Sequence, residues 1–578
     1  MKYPTLYAKE ASRKMVDVFK GYNHNLRIGD GEFFDMKNMT SDYYPVLSPR
    51  KKRGVYASPN SPKGLIAKDA LCYVDGTKFV INEYPVDMGL NDEPKQLISM
   101  GAYVIIMPDK KWINTLDITE FGNIEASFES NSDVTFSLCT VDGDNYENMT
   151  VSAEEPTDPD NMALWIDTAS IPHTLKQYSA SSAIWVQIAT TYIKISSPGI
   201  GAAFNQYDGV TISGIISEDL QDLNTSAVIW AKDDDYIVVV GILDEVTNQD
   251  AEAGSVKIER KMPAMDFITE SENRLWGCRY GVSTNGEVVN EIYASKLGDF
   301  KNWNCFMGLA TDSYAASCGT DGQFTGAITH MGYPLFFKEN CVHKVYGNYP
   351  ANFQIQTTAC RGVQKGCHKS LAIVNEVLYY KARSGICSYD GSLPTEVSYA
   401  LGNEAYGDAV GGAYGNKYYA SMKDVTGQWS LFVYDTAKGM WHKEDDFQAE
   451  SFCACHNELY AINCGDIIAM LGSGDDYEGD LEWMVQTGEI GITSPDMKYI
   501  SRLTVRMAMD IGSEIMFYAQ YDFSDTWEPL FALRSDNLRS FSLPIRPKRC
   551  DHMRLRIEGK GMAKIYSITK TIEQGSEL

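Results

Sequence analysis

Aspartate and tryptophan recur at short spacings beside tight turns, and these residue types suit two different roles. Three such pairs occur: Asp299 with Trp303, Asp435 with Trp441, and Asp522 with Trp527. In a glycosidase, two carboxylates flank the scissile bond. In the corner of a β-propeller blade, the carboxylate instead accepts hydrogen bonds from turn amides while the indole packs beneath it. Because no local pair of carboxylates stands out, we interpret these residues as turn and core residues.

Acidic side chains also offer oxygen ligands for a metal. The stretch DGDNYE places Asp142, Asp144 and Glu147 as in the first half of a calcium loop. The glutamate required at the twelfth position is missing, because Ala153 stands there. We interpret this stretch and KDDDY (232–236) as solvent-exposed turns.

Two clusters of thiol and imidazole groups are candidates for zinc. They are Cys360, Cys367 and His368, and Cys453, Cys455, His456 and Cys464. Neither cluster has the Cys-x₂₋₄-Cys pair that structural zinc sites favour. Strand alternation places Cys453 and Cys455 on one face of a sheet, so we expect core cysteines. The total of 13 cysteines is odd, which argues against a disulfide framework and favours reduced thiols.

Motifs for nucleotide binding and nucleophilic catalysis do not appear in a suitable context. There is no GxxxxGK[ST] sequence, no GxGxxG between a strand and a helix, and no GxSxG elbow. The sequence therefore assigns no catalytic, cofactor-binding or metal-binding residue and no cofactor. It predicts a protein that is not an enzyme.

The elements that would carry these residues are mostly strands. Aromatic residues make up 12% of the chain and glycine contributes 47 residues, which favours short strands and tight turns. Residues 65–84 and 94–115 have the pattern of hairpins, with turns at Asp-Gly and Pro-Asp. Similar units recur about every 35 to 45 residues after 263, as in four-stranded propeller blades. We predict a mostly β fold with a propeller of five to seven blades.

The pattern divides the chain into four regions. These are an extended N-terminal lead-in (1–56), a β-propeller (57–116 and 263–480), an inserted β-rich domain (117–262), and a C-terminal antiparallel β-sandwich (481–578). The basic segment SPRKKR (48–53) ends the lead-in. We interpret it as a solvated turn, with docking of an acidic partner as the alternative.

Charge is concentrated in the inserted domain. The chain has a net charge of −26, and residues 117–262 hold 25 acidic and six basic residues, a net charge of −19. Such a field does not suit tight binding of phosphates, which requires lysine and arginine. The N-terminus has no continuous apolar segment, and no run of about 18 apolar residues occurs. We expect a soluble protein made in the cytoplasm.

Several stretches together resemble a family of tailed-bacteriophage virion proteins. They are GDGEFFDMKNMTSDYYPVLSPRKKRG (29–54), YASKLGDFKNW (293–303), GYPLFFKENCVHKVYG (332–347), YYKARSGICSYDGSLP (379–394) and YISRLTVRMAM (499–509). The chain is similar here to the propeller-containing tail hub, nozzle and DNA-stabilisation proteins of short-tailed phages.

The resemblance implies a structural subunit of the virion tail. Six or possibly twelve copies would form a ring below the portal and adaptor, docking fibres and other tail proteins. Double-stranded DNA would pass through the lumen without specific binding, and no stable membrane insertion is expected. A negatively charged lining repels the duplex over a Debye length of about 8 to 10 Å, so we expect the insertion to face the lumen. The alternatives are a sialidase-like carbohydrate hydrolase and a receptor-binding or glycan-binding tail module.

Overall fold

The computed structural model describes residues 11–169, 171–241, 248–252, 256–283, 286–493, 497–522, 524–534, 539–545 and 548–574. Strands dominate this part of the chain. Its helical segments are short 3-10 turns at Glu218–Leu223, Pro350–Asn352, His368–Ser370 and Tyr399–Leu401. The protein is nearly all β, as predicted. No helix in the described part has the length and apolar character needed to cross a bilayer.

Five four-stranded sheets, a four-stranded part of a larger sheet and one five-stranded sheet are formed by the described residues outside 126–260, and we number them 1 to 7 in chain order. Sheet 1 contains Pro62–Lys68, Ala70–Asp75, Lys78–Ile81 and Tyr84–Asp87; sheet 2 contains Gln96–Met100, Tyr103–Met107, Lys111–Asn114 and Phe121–Asn123. Sheet 3 contains Phe267–Ser271, Arg274–Val282, Val288–Ala294 and Tyr314–Ser317; sheet 4 contains Gly326–His330, Tyr333–Lys338, Cys341–Tyr346 and Gln354–Ala359. Sheet 5 contains Ala372–Val374, Val377–Ala382, Gly385–Tyr389 and Thr395–Glu396; sheet 6 contains Tyr406–Tyr414, Lys417–Asp424, Trp429–Asp435 and Met440–Lys443.

Sheet 7 joins distant parts of the chain. Its strands are Ser451–Cys455, Glu458–Asn463, Asp466–Ala469 and Gly54–Ala57, with Asp475–Asp476 pairing on the far side of the last. Part of the segment assigned to the lead-in therefore forms a strand of a propeller-type sheet. A Cβ on Gly54 would lie 2.0 Å from the carbonyl oxygen of Ser473, so glycine permits this close approach.

Residues near both termini extend sheet 6. Beyond Met440–Lys443 the order continues through Gly21–Tyr22, Glu32–Lys37, Glu482–Thr487, Met553–Lys560, Glu514–Tyr521 and Glu528–Arg534. A second terminal sheet contains Ala11–Val16, Ala563–Gln574, Lys498–Met509, Arg539–Ser542 and Arg549–Cys550. The strand Lys498–Met509 alternates buried and more exposed residues along much of its length, so one of its faces is apolar. A short hairpin, Met39–Thr40 with Ser48–Pro49, also belongs to the N-terminal segment.

Three further sheets lie between sheets 2 and 3 in the chain. The first contains Ala126–Glu129, Lys257–Arg260, Gly209–Ser213 and Ser226–Val228. The second contains Ala231–Asp233, Tyr236–Val240, Tyr192–Ser196, Val134–Cys139 and Asn248–Glu252, and the third contains Thr150–Ser152, Leu164–Asp167, Thr174–Ser179 and Ile184–Gln187. One apolar cluster, with Phe136, Ile195 and Ile258 among its buried members, forms the core of this region.

The chain divides into two compact units. The first unit comprises Met1–Lys95, Phe337–Val342 and Thr358–Leu578, and the second comprises Gln96–Phe336 and His343–Thr357. Every site described below lies within one of these units.

Candidate functional site

The turn around Asp299 has the structural role that its sequence predicts. Its carboxylate accepts hydrogen bonds from the backbone amide of Lys301, at 3.0 Å, and from the side chain of Asn302, at 2.6 Å. Trp303 is 4% exposed and donates its indole N–H to the carbonyl of Phe300 at 2.9 Å. The indole belongs to an apolar cluster with residues of sheets 2 and 3. The prediction of a turn aspartate and a core tryptophan is confirmed here.

The same turn also forms hydrogen bonds that join the inserted region to sheet 3. The spacing of Asp299 and Trp303 in the sequence did not indicate this contact. The amide of Asn302 donates to Asp208 at 2.9 Å, and its oxygen accepts the backbone N–H of Gly209 at 2.8 Å. Asp208 is 1% exposed and also pairs with the buried guanidinium of Arg260. A Cβ on Gly209 would lie 2.2 Å from the carbonyl oxygen of Asn304, so glycine is required at this junction.

The other two aspartate–tryptophan pairs hold turns as well. Asp435 accepts hydrogen bonds from the Ser41 hydroxyl at 2.5 Å and from Lys438, while Trp441 is 2% exposed. Asp522 accepts the backbone N–H of Asp551 at 2.7 Å. Trp527 differs from Trp303 and Trp441, because its ring packs against the guanidinium of Arg556 at 4.0 Å.

The arginines of the basic segment at 48–53 belong to a buried ion network, whereas Lys51 and Lys52 are exposed, so the interpretation as a solvated turn was wrong for the arginines. Arg50 and Arg53 are 5% and 2% exposed. Arg50 binds both oxygens of Glu478, at 2.7 and 2.8 Å, and Arg53 binds both oxygens of Asp445, each at 2.8 Å. Glu444 accepts from Arg53 at 2.6 Å. The acidic partner of this segment is thus the chain itself, nearly 400 residues away in sequence.

Burial and ion pairing shift the pKa values of the groups in this network in opposite directions. Burial alone would raise the pKa of the Asp445 carboxyl, but the charges and hydrogen bonds of Arg53 and Arg50 hold it below its usual range. The same balance lowers the pKa of Glu478. Burial would lower the pKa of Arg53, and the carboxylates raise it above its usual value instead. All three groups therefore stay charged at neutral pH.

A polar cleft of about 370 Å³ lies beside this network in the first unit. Its lining includes Thr40, Asp42, Arg50, Lys51, Tyr414, Asn416, Lys417, Tyr419, Asp435, Lys438 and Glu444. Three cations of the lining are each paired with a lining carboxylate: Lys417 with Asp42 at 2.6 Å, Lys438 with Asp435 at 2.8 Å, and Arg50 with Glu444 at 3.2 Å. The cleft brings together carboxylates from distant parts of the sequence, and no sequence motif indicated it.

The pKa values of two cleft carboxyls lie below their usual range. Burial alone would raise the pKa of Asp42, but Lys417 more than offsets that effect. At Asp435 the opposing contributions come from Lys438 and Ser41. Both carboxylates are therefore ionised near neutral pH and accept hydrogen bonds.

The acidic candidates for calcium lie in exposed turns, as interpreted from the sequence. Asp142, Asp144 and Glu147 are all exposed, and so are the three aspartates of 232–236. Within the described part of the chain, no group of three or more His, Cys, Asp or Glu side chains is arranged to hold a metal ion.

The cysteine candidates are mostly core residues. Cys453 and Cys455 contact one apolar cluster, which confirms that they share a face, and burial raises the pKa of Cys453 to about 12. Cys367 is fully buried, and burial raises its pKa to about 11. Cys360 is half-buried, whereas Cys464 is exposed, so the core assignment was wrong for Cys464.

The inserted region exposes its acidic residues while its basic residues are engaged. Exposed carboxylates occur at Asp117, Glu120, Glu129, Asp133, Asp142, Asp144, Glu147, Glu154, Glu155, Asp158, Asp160, Glu218, Asp222, Asp233, Asp234 and Asp235. The six basic residues pair within the region: Lys176 with Asp167, Lys257 and Lys261 with Glu259, Arg260 with Asp208, Lys194 with the Gly143 carbonyl, and Lys232 with the Gly201 carbonyl. We call this the acidic surface.

No protein-family model and no curated protein matches the chain. Among solved structures, it is similar to the endosialidase of phage phi92, with a TM-score of 0.23 and 8% identity, covering 80% of this chain and 76% of that one. It is similar to a Trypanosoma rangeli sialidase, with a TM-score of 0.21 and 8% identity, covering 96% and 95%. An exo-β-1,3-galactanase from Phanerochaete chrysosporium gives 0.19 and 8%, covering 77% and 100%.

These comparisons correct one expectation from the sequence. The chain was expected not to be an enzyme, whereas the solved structures similar to it include a galactanase and sialidases. That expectation is therefore wrong. TM-scores far below 0.5 carry no argument about which activity or substrate this chain has.

Proposed function

We propose that the protein is a structural subunit of a bacteriophage tail, forming a ring of six or twelve copies below the portal and adaptor. Sheets 1 to 7 are each taken as one propeller blade, and the extension of sheet 6 and the second terminal sheet are taken as a sandwich. The resemblance of the five sequence stretches to tail hub and nozzle proteins supports this role.

The acidic surface is the observation that carries the proposal. Its exposed carboxylates have no surplus of cations beside them, because the six basic residues of the region are paired internally. Such a surface repels a DNA duplex at close range and supplies none of the phosphate contacts that would hold it. We therefore propose that the acidic surface borders the path of the genome, while other surfaces dock neighbouring tail proteins.

Electron microscopy of the purified protein and of virions tests this proposal. A closed ring coaxial with the tail, with residues 117–262 around its axis, is the expected result. A ring with this region pointing outward would overturn the lumen assignment. Peripheral trimers, or monomers that never join a particle, would overturn the tail-ring role.

A carbohydrate-active role is the second candidate, and the polar cleft favours it. The cleft combines three carboxylates, lysine and arginine side chains and two tyrosines in a volume that accommodates a small ligand. Release of reducing sugar from a sialoside or a capsule polysaccharide would support hydrolysis there. Turnover that survives Asp435→Asn and Glu444→Gln would remove the cleft as its site.

A further inference from the structure

One tyrosine of the polar cleft has a hydroxyl that the described residues leave available. Tyr419 packs its ring into the core cluster of sheets 6 and 7, lines the cleft, and is only 4% exposed. Its hydroxyl forms no hydrogen bond with any residue that the structure describes. An enclosed hydroxyl ordinarily has a partner, whereas this one is open to the cleft and can bond to a ligand there.

The neighbouring tyrosine provides a contrast within the same strand. Tyr418 is fully buried, and its hydroxyl donates to the carbonyl of Ser370 at 2.9 Å. Successive side chains of the strand Lys417–Asp424 lie on opposite faces of the sheet. The hydroxyl of Tyr418 therefore bonds within the fold, whereas Tyr419 lines the cleft.

The remaining lining favours an uncharged ligand rather than an anion. The cations of Lys417, Lys438 and Arg50 are each neutralised by a carboxylate of the same cleft. Lys51 is exposed at its rim. At Lys417, Lys438 and Arg50 a free anion would have to displace an existing ion pair, whereas a neutral group can bond to the paired atoms without separating them.

The hydrogen-bonding groups of the lining also match a particular chemistry. Carboxylates at Asp42 and Asp435 accept, ammonium groups at Lys417 and Lys438 donate, and the Tyr419 hydroxyl can do both. Burial, followed by the negative charges of Glu444 and Asp42, raises the pKa of Tyr419, so its hydroxyl keeps its proton. Vicinal hydroxyl groups, each both donor and acceptor, complement such a mixed array. The half-buried Tyr414 adds an aromatic surface.

We propose that this cleft is a binding site for a neutral polyol, specifically the sugar units of an uncharged glycan, with the Tyr419 hydroxyl as a ligand contact. The proposal deepens the second candidate function by naming the class of ligand, and it concerns binding rather than cleavage.

The test compares the wild-type protein with Tyr419→Phe and with the matched control Tyr418→Phe. The probes are neutral oligosaccharides of glucose, galactose and N-acetylglucosamine, with oligouronates as acidic counterparts, measured by saturation-transfer NMR and calorimetry. Tyr419→Phe is expected to weaken binding of a neutral probe about tenfold while leaving the unfolding midpoint unchanged, because its hydroxyl bonds to nothing in the fold. Tyr418→Phe is expected to lower the midpoint and leave the affinity unchanged.

Each other outcome overturns the proposal. Binding of acidic probes alone would indicate an anion site, and equal affinity in Tyr419→Phe would place the sugar elsewhere. Absence of binding to every neutral probe would remove the site. Turnover separates this inference from the second candidate function: binding that depends on Tyr419 without any cleavage keeps the inference and rejects hydrolysis.

Discussion

The arginine network and the acidic surface use the same residue types in opposite ways. In the network, Arg50 and Arg53 are buried against Glu444, Asp445 and Glu478, and each guanidinium forms a two-pronged contact with a carboxylate. On the acidic surface, the carboxylates are exposed and most have no cation partner. Buried charge is stabilising only when it is paired, whereas exposed charge contributes mainly to the field that a partner meets. A count of charges along the sequence does not distinguish these cases.

Breaking the network is expected to have the largest effect. Arg53→Met leaves Glu444 and Asp445 buried with fewer cations, so the free energy of unfolding should fall by about 3 to 5 kcal/mol. Denaturant titration measures this change. Lys52→Met is the matched control, because Lys52 is exposed, and it should change stability by less than about 0.5 kcal/mol. Equal effects of the two variants would contradict the buried network.

Trp303→Ala tests the corner by which sheets 2 and 3 share a core. Removing the buried indole leaves a cavity, and the free energy of unfolding should fall by about 3 to 5 kcal/mol. Calorimetry or urea titration measures the loss, with reduced assembly as its consequence. A catalytic defect in a protein of unchanged stability would instead assign the corner to an active site.

Asn302→Ala tests the junction between sheet 3 and the acidic region. It leaves Gly209 and one oxygen of Asp208 without their buried partner, at a cost of about 1 to 3 kcal/mol. Hydrogen exchange should show faster opening around residues 205–213. Asn304→Ala serves as the control, because the Asn304 side chain donates to the Ser226 hydroxyl at an exposed position. Similar protection in both variants would argue against the junction.

Acid should remove the stabilisation that the carboxylates of the network contribute. The folded-state pKa values of Asp445 and Glu478 lie below their unfolded values, so their stabilisation is complete above the unfolded pKa of about 4. It is lost as the pH falls through the lower folded values. Unfolding free energies measured between pH 7 and pH 3 should therefore decline, and Glu478→Gln should flatten part of that decline. An unchanged pH profile in this variant would count against the assignment.

Charge reversal on the acidic surface should change stability least and DNA passage most. Asp142→Lys with Asp234→Lys should alter the free energy of unfolding by less than about 0.5 kcal/mol, because both residues are exposed. In virions, the reversal should slow genome ejection in a salt-dependent manner. Asp475→Lys with Asp476→Lys, exposed in sheet 7, is the control. Equal slowing by both pairs would contradict a special place for the acidic surface.

Local patterns predicted the elements well where neighbouring residues decide the structure. The Asp-Gly hairpin at residues 75–76 joins Ala70–Asp75 to Lys78–Ile81, because Gly76 adopts a φ of 57° that few side chains tolerate. Alternation placed Cys453 and Cys455 on one face of their strand. The same reasoning failed at Arg50 and Arg53, where composition suggests solvent and the structure shows burial.

The sequence by itself determined a nearly all-β protein, its turns, and a strongly acidic segment, since strand alternation, glycine conformations and charge are local properties. Only the tertiary structure decided which charges are buried. Arg53 meets Asp445 across 392 positions and Asn302 meets Asp208 across 94. The hydroxyl of Tyr419 differs from that of Tyr418 only through the cleft that distant segments form around it. Such contacts form between residues that are far apart in the sequence, and no local pattern predicts them.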